Sequence, residues 1–192
     1  RLSVYTRIAT HEVKNNHPQR NIEVNIQLFR TFIRIFAEES TNTMENLFDI
    51  AIIGGGPGGY VAAEKAGKSG LKVVLFEKKD LGGVCLNEGC IPTKTLLYSA
   101  KLYDQARKGD KYGIHVEGTE ADYKKMTDRK TKVIRKLVAG VGLRMKNAGV
   151  QVVKAAAMIE GRTSEGIVHI TAAGESYNTK NILICTGSET FI

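Results

Sequence analysis

An apolar run that opens directly into a cluster of glycines places the strongest constraint on this chain. Residues 48–53 (FDIAII) are almost continuously apolar, and residues 54–59 (GGGPGG) follow without a spacer. A near-continuous apolar run is typical of a buried parallel strand. Residues 60–66 then continue with the small side chains of a closely packed helix. The pattern predicts a strand, a tight loop and a helix, which is the first unit of a doubly wound α/β fold.

The spacing of the glycines, together with a later acidic residue, predicts dinucleotide binding. Gly54 permits a tight turn, Gly56 lets the backbone approach a diphosphate, and Gly59 lets the helix pack closely on the strand. Residues 71–76 form a second predicted strand, and Glu77 closes it where a carboxylate can accept hydrogen bonds from a ribose. If only the glycine pattern is considered, a glycine-rich loop that binds no ligand is the alternative to a dinucleotide site. The complete series of elements favours a nucleotide site.

Two cysteines five residues apart form the second feature of the chain. Cys85 and Cys90 lie at a glycine-rich approach to a helix-compatible run that begins near Pro92. Five residues of regular α-helix rise about 7.5 Å, which exceeds the roughly 7 Å limit on the Cα separation in a disulfide. A disulfide therefore requires a distorted chain between them, and Asn87 and Gly89 tolerate distortion.

Three uses of these cysteines compete. Cys90 lies near a predicted helix N-terminus, where the positive end of the helix dipole stabilises a thiolate, so a redox pair is favoured. A zinc site is disfavoured because Cys85 and Cys90 lack zinc-knuckle spacing and Cys185 lies far along the chain. A static disulfide is disfavoured in a protein that we expect to be cytoplasmic. We expect no metal.

Composition and charge narrow the functional class. The 192 residues are 42% hydrophobic and 25% charged, as in an ordinary globular protein. No window approaches the roughly eighteen consecutive apolar residues of a membrane span, so we expect no membrane partner. The net charge of +8 lies largely between Lys101 and Lys146, where basic and apolar residues alternate at helical spacing. This distribution favours a solvated helix face over a nucleic-acid site, with docking of an acidic partner as the alternative.

The segment around the cysteines resembles a known family. Residues 82–94 (GGVCLNEGCIPTK) are similar to the active-site disulfide segment of the flavin disulfide reductases, most closely the dihydrolipoamide dehydrogenases. Leu86, Ile91 and the Thr93-Lys94 pair favour that member, whereas Val84 and Glu88 depart from its usual pattern. Glutathione reductase-like and mercuric reductase-like enzymes are the alternatives within the family.

The resemblance implies a chemistry and a set of site residues. It implies that the glycine loop of residues 54–59, the first dinucleotide-binding fingerprint of the family, binds FAD. It also implies that Cys85 exchanges disulfides with dihydrolipoamide and that Cys90 faces the flavin, from which the electrons pass to NAD. Dihydrolipoamide would be free or carried on a lipoyl domain of a 2-oxo-acid dehydrogenase complex. The candidate catalytic residues are Cys85 and Cys90, and the candidate cofactor-binding residues are Gly54, Gly56, Pro57, Gly58, Gly59, Glu77, Lys78, Gly83, Lys94, Ala157, Thr186, Gly187 and Ser188.

The resemblance also divides the chain. Residues 44–192 are expected to form a Rossmann-like FAD-binding domain, a parallel sheet with a small antiparallel segment, truncated before the NAD and dimerisation domains of a homodimeric parent. Residues 1–43 match nothing and are expected to be a disordered or non-native leader, with a transit peptide as the alternative. The sequence has no second glycine fingerprint, so this chain alone is expected to be inactive in turnover. A non-catalytic flavin-binding fragment is the competing interpretation.

The remaining elements follow from periodicity and turn residues. Asp122 is a predicted helix N-cap, and a long amphipathic helix is expected to end at Asn147-Ala148-Gly149. Its apolar stripe, which is predicted to be core, comprises Met126, Val133, Ile134, Leu137, Val138, Val141 and Met145. Strands are predicted over residues 150–158, 166–171 and 177–186, with turns at Glu160-Gly161 and Ala173-Gly174. Cys185 is predicted to be a packed core thiol.

Overall fold

A computed structural model describes residues 47–189, which form one six-stranded mixed sheet with helices. The strand order across the sheet is β3-β2-β1-β6-β5-β4. In chain order the elements are β1 (Leu47–Ile53), α1 (Pro57–Lys68), β2 (Val73–Phe76), α2 (Gly83–Asn87), α3 (Cys90–Arg107), a 3-10 turn (Gly109–Tyr112), α4 (Tyr123–Asn147), β3 (Gln151–Val153), β4 (Ala157–Arg162), β5 (Val168–Ala172) and β6 (Glu175–Ile184).

Four parallel strands form the half of the sheet that carries the site. β1 pairs in parallel with β2 on one side and with β6 on the other, and β2 pairs in parallel with β3. All four residues of β2 are buried, because the sheet is covered on both faces. On one face Ile52 and Leu75 pack against Ala63 of α1 and Met145 of α4. The parallel α/β core predicted from the apolar runs is confirmed.

The antiparallel strands supply the second apolar cluster. β6 is long enough to serve both halves, since Thr179 pairs with Val168 of β5 and Ile182 pairs with Ala51 of β1. Ile170 and Tyr177 pack with Phe76, whose ring meets that of Tyr177 edge-on at a centroid distance of 5.0 Å. The expected small antiparallel segment is therefore present, and it continues the parallel sheet through a shared strand.

Helix α4 begins and ends where the sequence indicates. The Asp122 carboxylate caps it by accepting a 2.9 Å hydrogen bond from the Lys125 N–H, and Gly149 follows its end with a φ of +68°. The predicted core stripe is right for Val141 and Met145, which are buried, and wrong for Leu137, which is 40% exposed. A helix of 25 residues is about 37 Å long. It also packs on α3, where Arg129, near the start of α4, donates a hydrogen bond to the Thr95 carbonyl.

Two other predictions about the strands are wrong. The single strand predicted over residues 150–158 is two strands at opposite edges of the sheet, β3 beside β2 and β4 beside β5. The predicted turn at Glu160-Gly161 lies inside β4, whose pairing shifts register between Ile159 and Gly161. The Ala173-Gly174 turn is confirmed, with φ values of +53° and +79°. Among residues 47–189 no helix is long and apolar enough to span a bilayer.

Candidate functional site

The glycine loop turns sharply at the carboxyl end of β1. Gly54 has a φ of +105°, and its N–H donates a 2.8 Å hydrogen bond to the Phe76 carbonyl. A Cβ at Gly54 would lie 2.2 Å from the Cys185 carbonyl oxygen, and one at Gly59 would lie 1.8 Å from the Gly54 carbonyl oxygen. The absence of side chains therefore lets α1 begin directly against the strand, with no side chain capping it.

Glu77 lies at the end of β2 and binds the loop backbone. Its Oε2 accepts a 2.7 Å hydrogen bond from the Gly55 N–H, and its Oε1 accepts a 2.8 Å hydrogen bond from the Lys79 N–H. The side chain is half-buried, whereas Lys78 and Lys79 are exposed. The predicted strand-final acid is therefore beside the glycine loop, as the fingerprint requires.

The two cysteines lie on two helices separated by a break. Cys85 belongs to α2, and Cys90 is the first residue of α3. Glu88 and Gly89 interrupt the helix, and both of their N–H groups donate to the Val84 carbonyl, at 2.9 and 2.6 Å. The expected departure from regular helix is confirmed. It occurs at Glu88-Gly89.

Asn87, which was expected to share in the distortion, remains helical. Its side-chain amide donates to the Leu81 carbonyl at 3.2 Å and to the Gly83 carbonyl at 3.0 Å. These bonds brace the start of α2, so the tolerance of Asn87 for unusual backbone angles is not used here.

The two thiols are free and differ in their surroundings. Cys85 is half-buried, and Cys90 is exposed. The pKa of the Cys85 thiol is raised, first because it is hydrogen-bonded to the Cys90 side chain and then because it is partly removed from water. The positive charge of Lys94 lowers the same pKa in opposition. The two thiols are therefore neighbours.

An open cleft of about 580 Å³ brings most of the predicted site residues together. Its walls come from the glycine loop, the loop after β2, the first turn of α2 and the segment after β6. The predicted residues on these walls are Gly54, Gly56, Pro57, Gly58, Glu77, Lys78, Gly83, Cys85, Thr186, Gly187 and Ser188.

Four predicted residues do not line this cleft. Gly59 is buried beneath the loop, whereas Cys90 and Lys94 are exposed on α3. Ala157 begins β4 and is half-buried against the cluster of Phe48 and Tyr177. Their proposed roles toward a cofactor stay predictions.

Sequence reasoning missed several lining residues, namely Lys79, Asp80, Val84, Asn87, Glu88, Cys185 and Glu189. Most adjoin predicted residues on the same loops, so their position in the chain was an available signal. Cys185 is half-buried and packs against the core beside Ile52, but it also faces the cleft. The prediction that Cys185 is a packed core thiol is confirmed, and the structure adds that this residue also lines the cleft. Within residues 47–189 no group of three or more His, Cys, Asp or Glu side chains could hold a metal ion.

Comparison with known families decides the membership of the chain. The family model described as pyridine nucleotide-disulphide oxidoreductase matches residues 48–192. The chain belongs to this family. Dihydrolipoyl dehydrogenase of Acholeplasma laidlawii is 43% identical over 150 residues, which are 78% of this chain and 43% of the relative.

Two solved structures share the fold of this chain. The chain is similar to LpdA of Mycobacterium tuberculosis, with a TM-score of 0.68 and 25% identity, over 76% of this chain and 33% of that one. It is also similar to the Cu(II) complex of the HOCl-induced flavoprotein disulfide reductase RclA of Escherichia coli, with a TM-score of 0.59 and 25% identity, over 75% of this chain and 29% of that one. This chain thus spans under half the length of each of these proteins.

Proposed function

We propose that this chain is the FAD-binding, redox-disulfide part of a dihydrolipoyl dehydrogenase. The observation that carries the proposal is that a glycine loop and a cysteine of a neighbouring thiol pair line one cleft. A nucleotide cofactor and a redox pair must meet for electrons to pass between them. Membership of the family and the similarity to a curated dihydrolipoyl dehydrogenase support the same assignment.

The cleft fits the diphosphate end of FAD. Gly56 carries no side chain, and even an added Cβ would meet Gly83 Cα no closer than 3.8 Å, so a diphosphate can approach the loop backbone, where α1 presents its N-terminus. We propose that residues 54–59 hold the diphosphate and that Glu77 accepts from the ribose hydroxyls. Seven further residues complete the proposed FAD site: Lys78, Gly83, Lys94, Ala157, Thr186, Gly187 and Ser188.

The cysteines perform the exchange with the substrate. In the oxidised protein a dihydrolipoamide thiolate attacks Cys85, the Cys85–Cys90 bond breaks, and Cys90 leaves as a thiolate at the N-terminus of α3, whose dipole stabilises it. The second substrate thiol then displaces Cys85, which closes the lipoamide ring and leaves a dithiol. When bound, FAD supplies the acceptor that returns the dithiol to the disulfide and passes the electron pair to NAD.

The experiment separates the exchange from flavin binding. The disulfide form of the chain is reconstituted with FAD and freed of excess flavin. Dihydrolipoamide is then added in excess under nitrogen, and new protein thiols are counted by mass spectrometry after alkylation. The wild-type chain is expected to gain two alkylated cysteines, Cys85 and Cys90. Cys85→Ser and Cys90→Ser should gain none, and Cys185→Ser should still gain two. A wild-type chain that binds no FAD, or that gains no thiols, would overturn the proposal.

The properties of the longer protein extend this proposal. We propose that the complete enzyme uses NAD, works as a homodimer, takes dihydrolipoamide free or on a lipoyl domain, and resides in the cytoplasm. The 192-residue chain alone is expected to exchange thiols without reducing NAD, because its sequence has one glycine fingerprint. Adding NAD to the reduced chain and recording absorbance at 340 nm tests this point.

A further inference from the structure

The backbone of Gly55 is held from two directions. Its N–H donates to Glu77 Oε2 at 2.7 Å, and its carbonyl accepts a 2.8 Å hydrogen bond from the Gly82 N–H. Gly82 is the N-cap residue of α2, which carries Cys85. The residue is buried, so its two polar backbone groups need these partners. Gly55 therefore joins the end of β2, the glycine loop and the start of the redox helix.

Glu77 is already engaged before any ligand is considered. One carboxylate oxygen accepts from Gly55 and the other accepts from Lys79, at 2.7 and 2.8 Å. A carboxylate held by two backbone N–H groups is fixed in orientation, and bonds of this charge-assisted kind are among the stronger hydrogen bonds. A ribose that binds Glu77 must share a carboxylate that also holds the loop.

A loop of this composition needs such a restraint. Residues 54–59 contain five glycines, and glycine loses more conformational freedom on ordering than any other residue. The space is also narrow, because a Cβ at Gly55 would lie 2.8 Å from Leu81 Cδ2 and 3.1 Å from Glu77 Oε2. The loop is therefore packed closely against Glu77 and Leu81.

We propose that Glu77 is a positioning residue that shapes the diphosphate-binding loop through Gly55, independently of any contact with a ribose. This inference rests on the proposed function only in taking the loop as a diphosphate site. The two roles predict opposite signs for a ligand that has no ribose. If Glu77 contacts only ribose, removing its negative charge should leave pyrophosphate binding unchanged or tighten it. If Glu77 shapes the loop, pyrophosphate binding should weaken although the charge repulsion is gone.

The test compares pyrophosphate and ADP by isothermal titration with the full 192-residue chain. Glu77→Met removes both acceptors at similar length, and Glu77→Gln keeps one acceptor. Glu88→Met is the matched control, because Glu88 lines the same cleft and its carboxylate pairs with Lys79 rather than with the loop. We expect Glu77→Met to raise the pyrophosphate Kd about tenfold. We expect Glu77→Gln to raise it less, and Glu88→Met to leave it unchanged or lower it.

A second readout needs no ligand. The Gly82 N–H bonds to Gly55 and to no atom of Glu77, so its hydrogen exchange reports whether the Gly55 backbone has moved. Faster Gly82 exchange in Glu77→Met, with exchange in β1 unchanged, supports the positioning role. Equal or tighter pyrophosphate binding by Glu77→Met, with weaker ADP binding, overturns it. If the wild-type chain binds neither FAD nor ADP, the proposed function fails. The positioning role is tested separately, because unchanged Gly82 exchange in Glu77→Met overturns it whether or not a ligand binds.

Discussion

At the scale of single residues, the thiol pair is asymmetric. Cys85 faces the cleft and has a raised pKa, whereas Cys90 begins a helix and is exposed. The largest cause of the raised pKa is the hydrogen bond with Cys90, and burial adds to it. The positive charge of Lys94, which lies one turn into α3, opposes these two effects and lowers the pKa of Cys85. The thiolate fraction of Cys85 therefore depends on a residue that does not line the cleft.

Replacing Lys94 tests that dependence. Lys94 favours the charged form of Cys85, so Lys94→Met should raise the pKa of this thiol further and shift its alkylation to higher pH. The measurement is the rate of iodoacetamide labelling of Cys85 against pH in a Cys90→Ser background, followed by peptide mass spectrometry. Lys101→Met, an exposed lysine farther along α3, is the control. A profile displaced to lower pH by Lys94→Met would contradict the expectation.

At the scale of elements, two glycines on different helices have opposite effects. Gly59 allows α1 to meet β1, since a Cβ there would lie 1.8 Å from the Gly54 carbonyl oxygen. Gly140 lies inside α4 with nothing within 4 Å of an added Cβ. The first glycine is required by packing, whereas the second only weakens its helix.

Alanine at the two positions should change stability in opposite directions. Gly59→Ala is expected to lower the free energy of unfolding by about 1–3 kcal/mol or more, because the clash is with backbone. Gly140→Ala is expected to raise it by about 0.5–1 kcal/mol, because alanine is the better helix former. Urea unfolding followed by circular dichroism measures both, and a stabilised Gly59→Ala would show that α1 does not pack as described.

An ion pair links α1 to α4. Glu64 accepts hydrogen bonds from Arg144 and Lys68, and Arg144 also lies over the Tyr60 ring at 5.4 Å from its centroid. These hydrogen bonds lower the pKa of Glu64 from an ordinary 4.5 to about 2, and the bond from Arg144 has the larger effect. The charged carboxylate is therefore favoured by the folded state, and the pair joins two helices that cover the same face of the sheet.

The sign of the pH dependence follows from that lowered pKa. The contribution of Glu64 to stability is complete above its unfolded pKa near 4.5 and is lost as the pH falls toward about 2. Wild-type protein should therefore lose more stability than Glu64→Gln between those pH values. Thermal midpoints of both proteins at a series of pH values measure this, and parallel curves would show that the pair contributes nothing.

Local signals determined which elements were predictable. The glycine loop, the Asp122 cap and the Ala173-Gly174 turn each depend on residues within one turn, so the sequence alone was sufficient. The division of residues 150–158 into two strands depends on pairing with β2 and β5, which are separate elements of the chain. The alanines of residues 155–157 show no alternation of polar and apolar side chains that would mark the break. The bonds from Glu77 to backbone amides were invisible for a similar reason, since side-chain identity does not show which amides face it.

At the scale of the whole molecule, the interpretation of residues 1–43 as a leader remains a prediction. They lie outside the described residues, and the family match begins at residue 48. We expect a chain that starts at Met44 to keep the FAD affinity and thermal midpoint of the 192-residue chain, because the cleft is built from residues 54–189. Fluorescence titration with FAD and calorimetry measure both quantities. A loss of tenfold or more in FAD affinity would show that residues 1–43 contribute to the folded, FAD-binding protein.

The position of β1 has a consequence for how the protein is made. β1 is the first strand described, yet one of its two neighbours is the last, and Ile50 pairs with Asn181. At about 5–20 residues per second, a ribosome needs on the order of ten seconds to deliver β6 after β1 has emerged. During that time the apolar strand has one open edge, so this part of the sheet closes only after β6 has emerged. Until then, the open edge of β1 exposes the nascent chain to aggregation.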